Sequence, residues 1–138
     1  MPYSVTFQLD AFNGTRDNVE SLADLSAMLD CLIAIDTTYL RFHPNTPLLY
    51  RSGVRYVAEP IGAEFWRDIP TVINHGEGDC EDLACWLVAE KRVRFGIPAR
   101  PIIIPQLQPN GRYLYHINVA TPDAPNGVDD PSRRLGMK

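Results

Sequence analysis

Residues 76–84 read GEGDCEDLA and place one cysteine, Cys80, where a glycine-containing loop meets the start of an amphipathic helix. Asp79 suits the N-cap position and Asp82 lies three residues further on, as in a capping box, so Cys80 is predicted to be the first helical residue. Unpaired backbone N–H groups and the helix dipole favour an anion at that position. The stretch therefore predicts a helix that begins at a cysteine and stabilises its thiolate.

The segment after Cys80 predicts one helix followed by a small sheet. Gly96 and Pro98 are stop signals for the helix. Strands are expected over residues 100–105, where three consecutive isoleucines indicate burial, and over residues 112–120, with a turn at 109–111 between them. A short third strand is expected over residues 128–130. A helix followed by an antiparallel meander makes α+β the expected fold class.

The segment before residue 76 is predicted to support this core. Residues 3–9 favour a strand, residues 52–58 a shorter one, and Asp68 should open a short helix that ends before Gly76. A helix is predicted over residues 17–35, with a buried face made by Leu22, Leu25, Met28, Leu29, Leu32 and Ile35. A chain of 138 residues is expected to form a single domain, with 1–50 as an N-terminal strand and supporting helix and 51–138 as the core.

The composition of the chain argues against nucleic acid and membranes as partners. A net charge of −4 gives no electrostatic reason to expect nucleic acid or an anionic membrane. No apolar run approaches the ~20 residues that span a bilayer. No basic stretch followed by an apolar one opens the chain, so no signal peptide is expected. The three cysteines form no disulfide pattern, and Cys31 and Cys85 are expected to be small buried apolar residues. No cofactor is expected.

A cysteine, a histidine and an acid follow one another on separate predicted elements. His116 lies on the second strand and the pair Asp129 and Asp130 on the third, which together with Cys80 are the parts of a nucleophilic acyl-transfer site. Acids next to Cys80 raise its pKa, and the helix dipole contributes only about 0.3–1 kcal/mol at an exposed site. An imidazolium partner is therefore required, and we expect Cys80 and His116 to form an ion pair or an arrangement close to one.

Other interpretations use the same residues differently. The acids beside Cys80 could form only a capped, solvated first turn, and a strand histidine is often a half-buried structural residue. His43 is expected to be solvated, whereas His75 either lines the site or is exposed. A metal site of Cys80, Cys85, His75 and His116 matches no structural zinc spacing, and Cys85 would point away from the face of Cys80.

Three segments resemble the transglutaminase-like superfamily: GDCEDLA at 78–84, YHINV at 115–119 and VDDPS at 128–132. The run from WRDIP at 66–70 to the segment 130–137 is similar to small transglutaminase-like proteins of tailed phages and prophages. The resemblance covers residues 50–138 well and the N-terminal third loosely. It implies a papain-like core in which the nucleophile-bearing helix packs on an antiparallel sheet.

The resemblance also implies a role for each residue. Cys80 would be the nucleophile, His116 the base, and Asp130, the acid before proline, would orient His116. The backbone N–H of Cys80 would be one oxyanion donor, and Asn74 or the indole of Trp66 the second, with the choice open.

The expected function is thiol-dependent acyl transfer by a cysteine peptidase or amidase that acts on protein or peptide amides. Hydrolysis is favoured over cross-linking because a chain of 138 residues leaves little to build a water-excluding acceptor site. The alternative is a catalytically idle structural or assembly adaptor of a phage on the same fold. Partners would be a protein or peptide substrate and phage structural proteins, and the location the cytoplasm of a bacterial host or a phage particle.

Overall fold

The computed structural model describes residues 4–7, 18–60, 64–109, 111 and 113–138. The helices are α1 (Asn18–Phe42), α2 (Ile69–His75), α3 (Cys80–Phe95) and α4 (Pro131–Arg134), with 3₁₀ turns at Leu49–Arg51 and Pro125–Gly127. The strands are β1 (Arg55–Tyr56), β2 (Glu77–Gly78), β3 (Arg100–Leu107), β4 (Tyr113–Ala120) and β5 (Val128–Asp129). The mixture of helices and antiparallel sheet confirms the α+β class.

Helix α3 is the centre of the core. Its residues 80–90 are all buried, with α1 packed on one side and β4 on another. Asp79 caps the helix in a capping box with Asp82, and Gly96 ends it in the left-handed conformation, as predicted. The first part of α3 is, however, buried on every side, so the predicted amphipathic pattern is wrong there, and its carboxylates lie in the interior.

The antiparallel meander forms as predicted, in the order β3-β4-β5. Ile104 of β3 lies opposite His116 of β4, and Val119 lies opposite Asp129 of β5. The expected burial of β3 is wrong. Its side chains are half-buried or exposed because α3 packs mainly on β4, and β3 lies at the edge of the sheet with no second neighbour among the described residues.

A second, two-stranded sheet brings the middle of the chain to the start of α3. Strands β1 and β2 pair in parallel, with Tyr56 opposite Gly78. Gly78 packs closely on α3, because an added Cβ would lie 3.2 Å from Cβ of Asp82 and 3.3 Å from Cδ2 of Leu83. Tyr56 N–H also donates to the carbonyl of Leu135, at 2.9 Å, so β1 links β2 to the end of α4. The predicted strand at 52–58 is therefore present but short.

Helix α1 differs from its prediction in length and in the residues it buries. It continues to Phe42 because Asp36, which is fully buried, accepts the N–H of Ile69 at 2.9 Å, and Leu40 enters the core. Ile35 is 43% exposed, so its assignment to the buried face is wrong. Its place is taken by Ile33, which continues the 3.6-residue repeat of the helix.

The two remaining cysteines and the predicted N-terminal strand have different outcomes. Cys85 is buried as expected, but Cys31 is exposed on the outer side of α1. Of the predicted strand at residues 3–9, residues 4–7 are described and lie in no strand, and the rest lie outside the described residues. Within the described part of the chain, no helix is both long and apolar enough to cross a membrane.

Candidate active site

Cys80 lies where the first turn of α3 meets strand β4. Its Sγ is 3.4 Å from Oε2 of Glu81 and 4.0 Å from the carbonyl oxygen of Tyr115, and the backbone N–H of Ile117 is near enough to lower the pKa of the thiol slightly. Tyr115 and Ile117 flank His116 in sequence. The packing of α3 on β4 therefore brings the sulfur to the backbone of the histidine strand.

His116 is paired with Asp130. Nε2 lies 2.9 Å from Oδ2 of Asp130, and the imidazole is 8% exposed. Because an ionised carboxylate only accepts hydrogen bonds, Nε2 carries the proton and Nδ1 keeps a free lone pair when the ring is neutral. The second oxygen of Asp130 accepts the N–H of Arg133 at 3.2 Å and caps α4. One carboxylate thus orients the imidazole and begins the last helix.

The surroundings of Cys80 favour the neutral thiol over the thiolate. Burial raises the pKa of Cys80 well above its ordinary value, and the carboxylates of Glu81 and then Asp79 raise it further. The hydrogen bonds of Sγ among the described residues go to Glu81 and to the backbone of β4, with none to the imidazole of His116. Among the described residues the thiol is therefore hydrogen-bonded to the buried carboxyl of Glu81 rather than to His116, and the expected pairing of Cys80 with His116 stays a prediction.

The candidate oxyanion donors are occupied or remote. The backbone N–H of Cys80 donates to Oδ1 of Asp79 at 2.7 Å. The indole of Trp66 lies near the carboxyl of Glu64, where it partly offsets the rise that burial causes in the pKa of Glu64. Asn74 is exposed in the last turn of α2, and no hydrogen bond of the described residues joins it to Cys80. None of these donors is free and directed at the sulfur in this conformation.

Four carboxyl groups lie close together beside the thiol, those of Glu81 and Asp82 buried and those of Glu59 and Asp79 half-buried. One oxygen each of Glu59, Glu81 and Asp82 lie within 4.8 Å of one another, and ligand atoms of Asp79, Cys80 and Glu81 are equally close. Burial is the main cause that raises the pKa of Glu59, Glu81 and Asp82. These residues are the ones that could hold a cation beside the sulfur.

The alternative metal set that includes His75 and Cys85 is not brought together. His75 is exposed at the end of α2. Sγ of Cys85 points to the carbonyl of Leu29 in α1, at 3.7 Å, and the residue is fully buried. That set therefore has no shared centre.

Sequence reasoning missed Glu59. Its backbone N–H donates to Oδ2 of Asp79 at 3.1 Å, and its own carboxylate accepts the N–H of Phe65 at 2.8 Å. The parallel pairing of β1 with β2 brings this segment next to the N-cap of α3. No local sequence pattern predicts the contact between Glu59 and Asp79, which are 20 residues apart. The sequence does mark the helix start near which Glu59 lies, because Asp82 occupies the last position of a capping box.

Comparison of the chain with protein-family models, curated proteins and solved structures finds no match. The transglutaminase-like resemblance is carried by the three sequence segments alone, and the roles of Cys80, His116 and Asp130 stay predictions.

Proposed function

We propose that the protein is a thiol-dependent acyl-transfer enzyme, a cysteine peptidase or amidase with a papain-like core. The observation that carries the proposal is the contact of 2.9 Å between Nε2 of His116 and Oδ2 of Asp130, on the strand whose backbone contacts Sγ of Cys80. A carboxylate that orients an imidazole beside a thiol is the arrangement that nucleophilic catalysis needs. The substrate class is a protein or peptide amide.

In the proposed reaction His116 acts as base and then as acid. As Sγ of Cys80 attacks the carbonyl carbon, Nδ1 of His116 takes the thiol proton. The tetrahedral intermediate expels the amine, which receives that proton from His116, and a thioester remains on Cys80. Water then attacks the thioester, again with His116 as base, and releases the carboxylic acid and the free thiol.

The neutral thiol makes this general-base catalysis rather than reaction of a preformed thiolate. For proton transfer, the Cys80 thiol must exchange its contact with Glu81, at 3.4 Å, for one with the imidazole. An oxyanion donor must also be released, and the N–H of Cys80 is the nearest one, held by Asp79. Substrate binding would supply both changes.

A second candidate is the catalytically idle phage adaptor. The raised pKa of Cys80 and its occupied backbone N–H favour it, because each removes something that catalysis needs. The phage resemblance supplies the context of both candidates. The partner or substrate would be a virion or host-envelope protein, met in the bacterial cytoplasm or within a phage particle.

Acylation of Cys80 by an activated ester distinguishes the candidates. The protein should carry Cys31→Ser, because Cys31 is exposed and would react, whereas Cys85 is fully buried. On incubation with p-nitrophenyl acetate, an enzyme forms an acetyl thioester on Cys80 that mass spectrometry of peptides locates. The thioester should be absent in Cys80→Ala and should form more slowly in His116→Ala. No acylation of the folded protein, or equal acylation with and without His116, would favour the adaptor.

A further inference from the structure

Next to the acid that contacts His116, a second aspartate forms a closed cluster of its own. Asp129 is 8% exposed, and its Oδ2 accepts the hydroxyl of Tyr50 at 2.9 Å and Nη1 of Arg134 at 3.2 Å. The guanidinium of Arg134 lies over the ring of Tyr50, 3.8 Å from its centroid. Each of the three side chains therefore contacts the other two, in what we call the Asp129 cluster.

The cluster encloses Asp130 along the chain. Asp129 is the last residue of β5 and Arg134 the last of α4, so one member precedes Asp130 and another follows it. Both elements are short: β5 has 2 residues and α4 has 4. Backbone hydrogen bonds of such short elements hold the turn weakly, and isolated short helices are marginal in water. Side-chain contacts are needed to fix the turn.

Tyr50 connects this turn to the helix that carries Cys80. It lies in the 3₁₀ turn Leu49–Arg51, whose first N–H donates to Oε1 of Glu90 in α3 at 2.7 Å. Leu49 is fully buried against the core. The Asp129 cluster therefore joins the Asp130 turn and the thiol helix to one rigid support, supplied by the N-terminal third of the chain.

We propose that Tyr50, Asp129 and Arg134 are positioning residues that hold the β5–α4 turn so that Oδ2 of Asp130 stays on Nε2 of His116. The catalytic meaning of this inference rests on the proposed function, whereas its structural content does not. A tyrosine, an aspartate and an arginine are suited to the task, because charge-assisted contacts to the buried carboxylate of Asp129, with the guanidinium stacked on the ring, fix both distance and orientation even though Arg134 itself is exposed.

The test is Tyr50→Phe, which removes one hydroxyl and leaves the ring for Arg134. In protein labelled with ¹⁵N-histidine, NMR reports the Nε2–H proton of His116 and its exchange with solvent. We expect exchange to become about tenfold faster in Tyr50→Phe, since a hydrogen bond to a charged group is lost. Thioester formation on Cys80 should slow by a similar factor. Asp130→Asn, which removes the ionised acceptor altogether, gives the upper limit of the exchange rate.

Ser52→Ala is the matched control. It also removes a hydroxyl near the same 3₁₀ turn, where Oγ of Ser52 donates to the carbonyl of Leu49 at 2.6 Å, without a contact to Asp129. The control should leave Nε2–H exchange and thioester formation unchanged. Equal exchange in Tyr50→Phe, Ser52→Ala and the parent would overturn the proposal and leave the cluster a structural contact only.

Two further outcomes separate this inference from the proposed function. Faster Nε2–H exchange in Tyr50→Phe, with no thioester in any variant, supports positioning and contradicts the enzyme. If Tyr50→Phe does not fold, Arg134→Lys keeps the charge but removes the planar stack, and the same increase in exchange is expected. Unchanged exchange in a folded Arg134→Lys overturns the proposal.

Discussion

Around Cys80 the neighbouring charged groups are the carboxylates of Asp79 and Glu81, whereas around Asp130 and Asp129 the neighbours are cationic. Arg133 Nε lies 3.5 Å from Oδ2 of Asp130, and Arg134 contacts Asp129 at 3.2 Å. Cations stabilise the ionised form of a nearby carboxylate, whereas carboxylates destabilise a nearby thiolate. We call His116 with Asp130 the histidine end of the site and Cys80 with Asp79 and Glu81 the thiol end. In this conformation the histidine end suits its proposed role in catalysis, whereas the thiol end disfavours the thiolate.

The difference shows that a helix N-terminus alone does not make a reactive cysteine. The dipole contributes about 0.3–1 kcal/mol at an exposed site. At Cys80 the nearest N–H is already used by the capping aspartate, and burial opposes the charged thiolate. A cap that stabilises the helix therefore competes with the thiolate for the same donors.

Loss of the acid at the histidine end should have the largest effect. Asp130→Asn keeps the shape and can still cap α4, but replaces an ionised acceptor on Nε2 by an amide. The rate of thioester formation on Cys80 should fall by a factor on the order of 10³–10⁴, as when the acid of a catalytic triad is lost. The control is Asp123→Asn, which breaks an exposed pair with Lys91. A fall of less than about tenfold would show that Asp130 only caps the helix.

One buried acid, Asp36 of α1, predicts a dependence of stability on pH. Burial raises the pKa of Asp36 from 3.8 to about 8. Between these values the folded protein holds a proton that the unfolded chain has lost, so stability falls as pH rises, by at most about 1.4 kcal/mol per pH unit. Asp36→Asn removes this contribution and should flatten the curve of unfolding free energy between pH 5 and about 8.

Chemical denaturation at several pH values measures this slope. Asp30→Asn, an exposed change on the same helix, serves as control and should leave the slope as in the parent. An equal slope in Asp36→Asn and the parent would mean that Asp36 is ionised in the fold.

Replacing the carboxyl of Glu81, which contacts the sulfur, should make the thiol end more favourable to the thiolate. In the Cys31→Ser background, Glu81→Gln lowers the pKa of the Cys80 thiol, so alkylation by iodoacetamide should be faster by about tenfold. Burial also raises the pKa of Glu81, so its carboxyl becomes more negatively charged as pH rises. The increase in alkylation rate caused by Glu81→Gln should therefore grow with pH. Glu20→Gln on α1 is the control. Slower alkylation in Glu81→Gln would assign the carboxylate an activating role.

Local rules predicted what is local in this molecule. The capping box placed Cys80 at the first residue of α3, and residue alternation placed His116 on β4. Asp130 was preferred to Asp129 by resemblance, and its role stays a prediction. In the structure Asp130 contacts His116, whereas Asp129 accepts the hydroxyl of Tyr50.

The wrong predictions concern burial and contacts between distant segments. Asp36 looks like a polar end to the pattern of α1 and is instead buried, because it accepts an N–H from α2. The direction of Glu81 depends on the packing of α3, and the approach of Glu59 depends on a parallel strand pair. Periodicity within one segment contains no information on these contacts, which arise from tertiary packing.

The smallest expected effect concerns the second oxyanion donor at the thiol end. Asn74→Ala should change thioester formation by less than about twofold, because Asn74 is exposed in α2, whereas loss of a true donor costs about 10²–10³ in rate. Asn45→Ala, at an exposed loop position, is the matched control. A loss of hundredfold in Asn74→Ala alone would require the last turn of α2 to move to the sulfur during the reaction. The thiol end would then be assembled by substrate, while the histidine end is assembled by the fold.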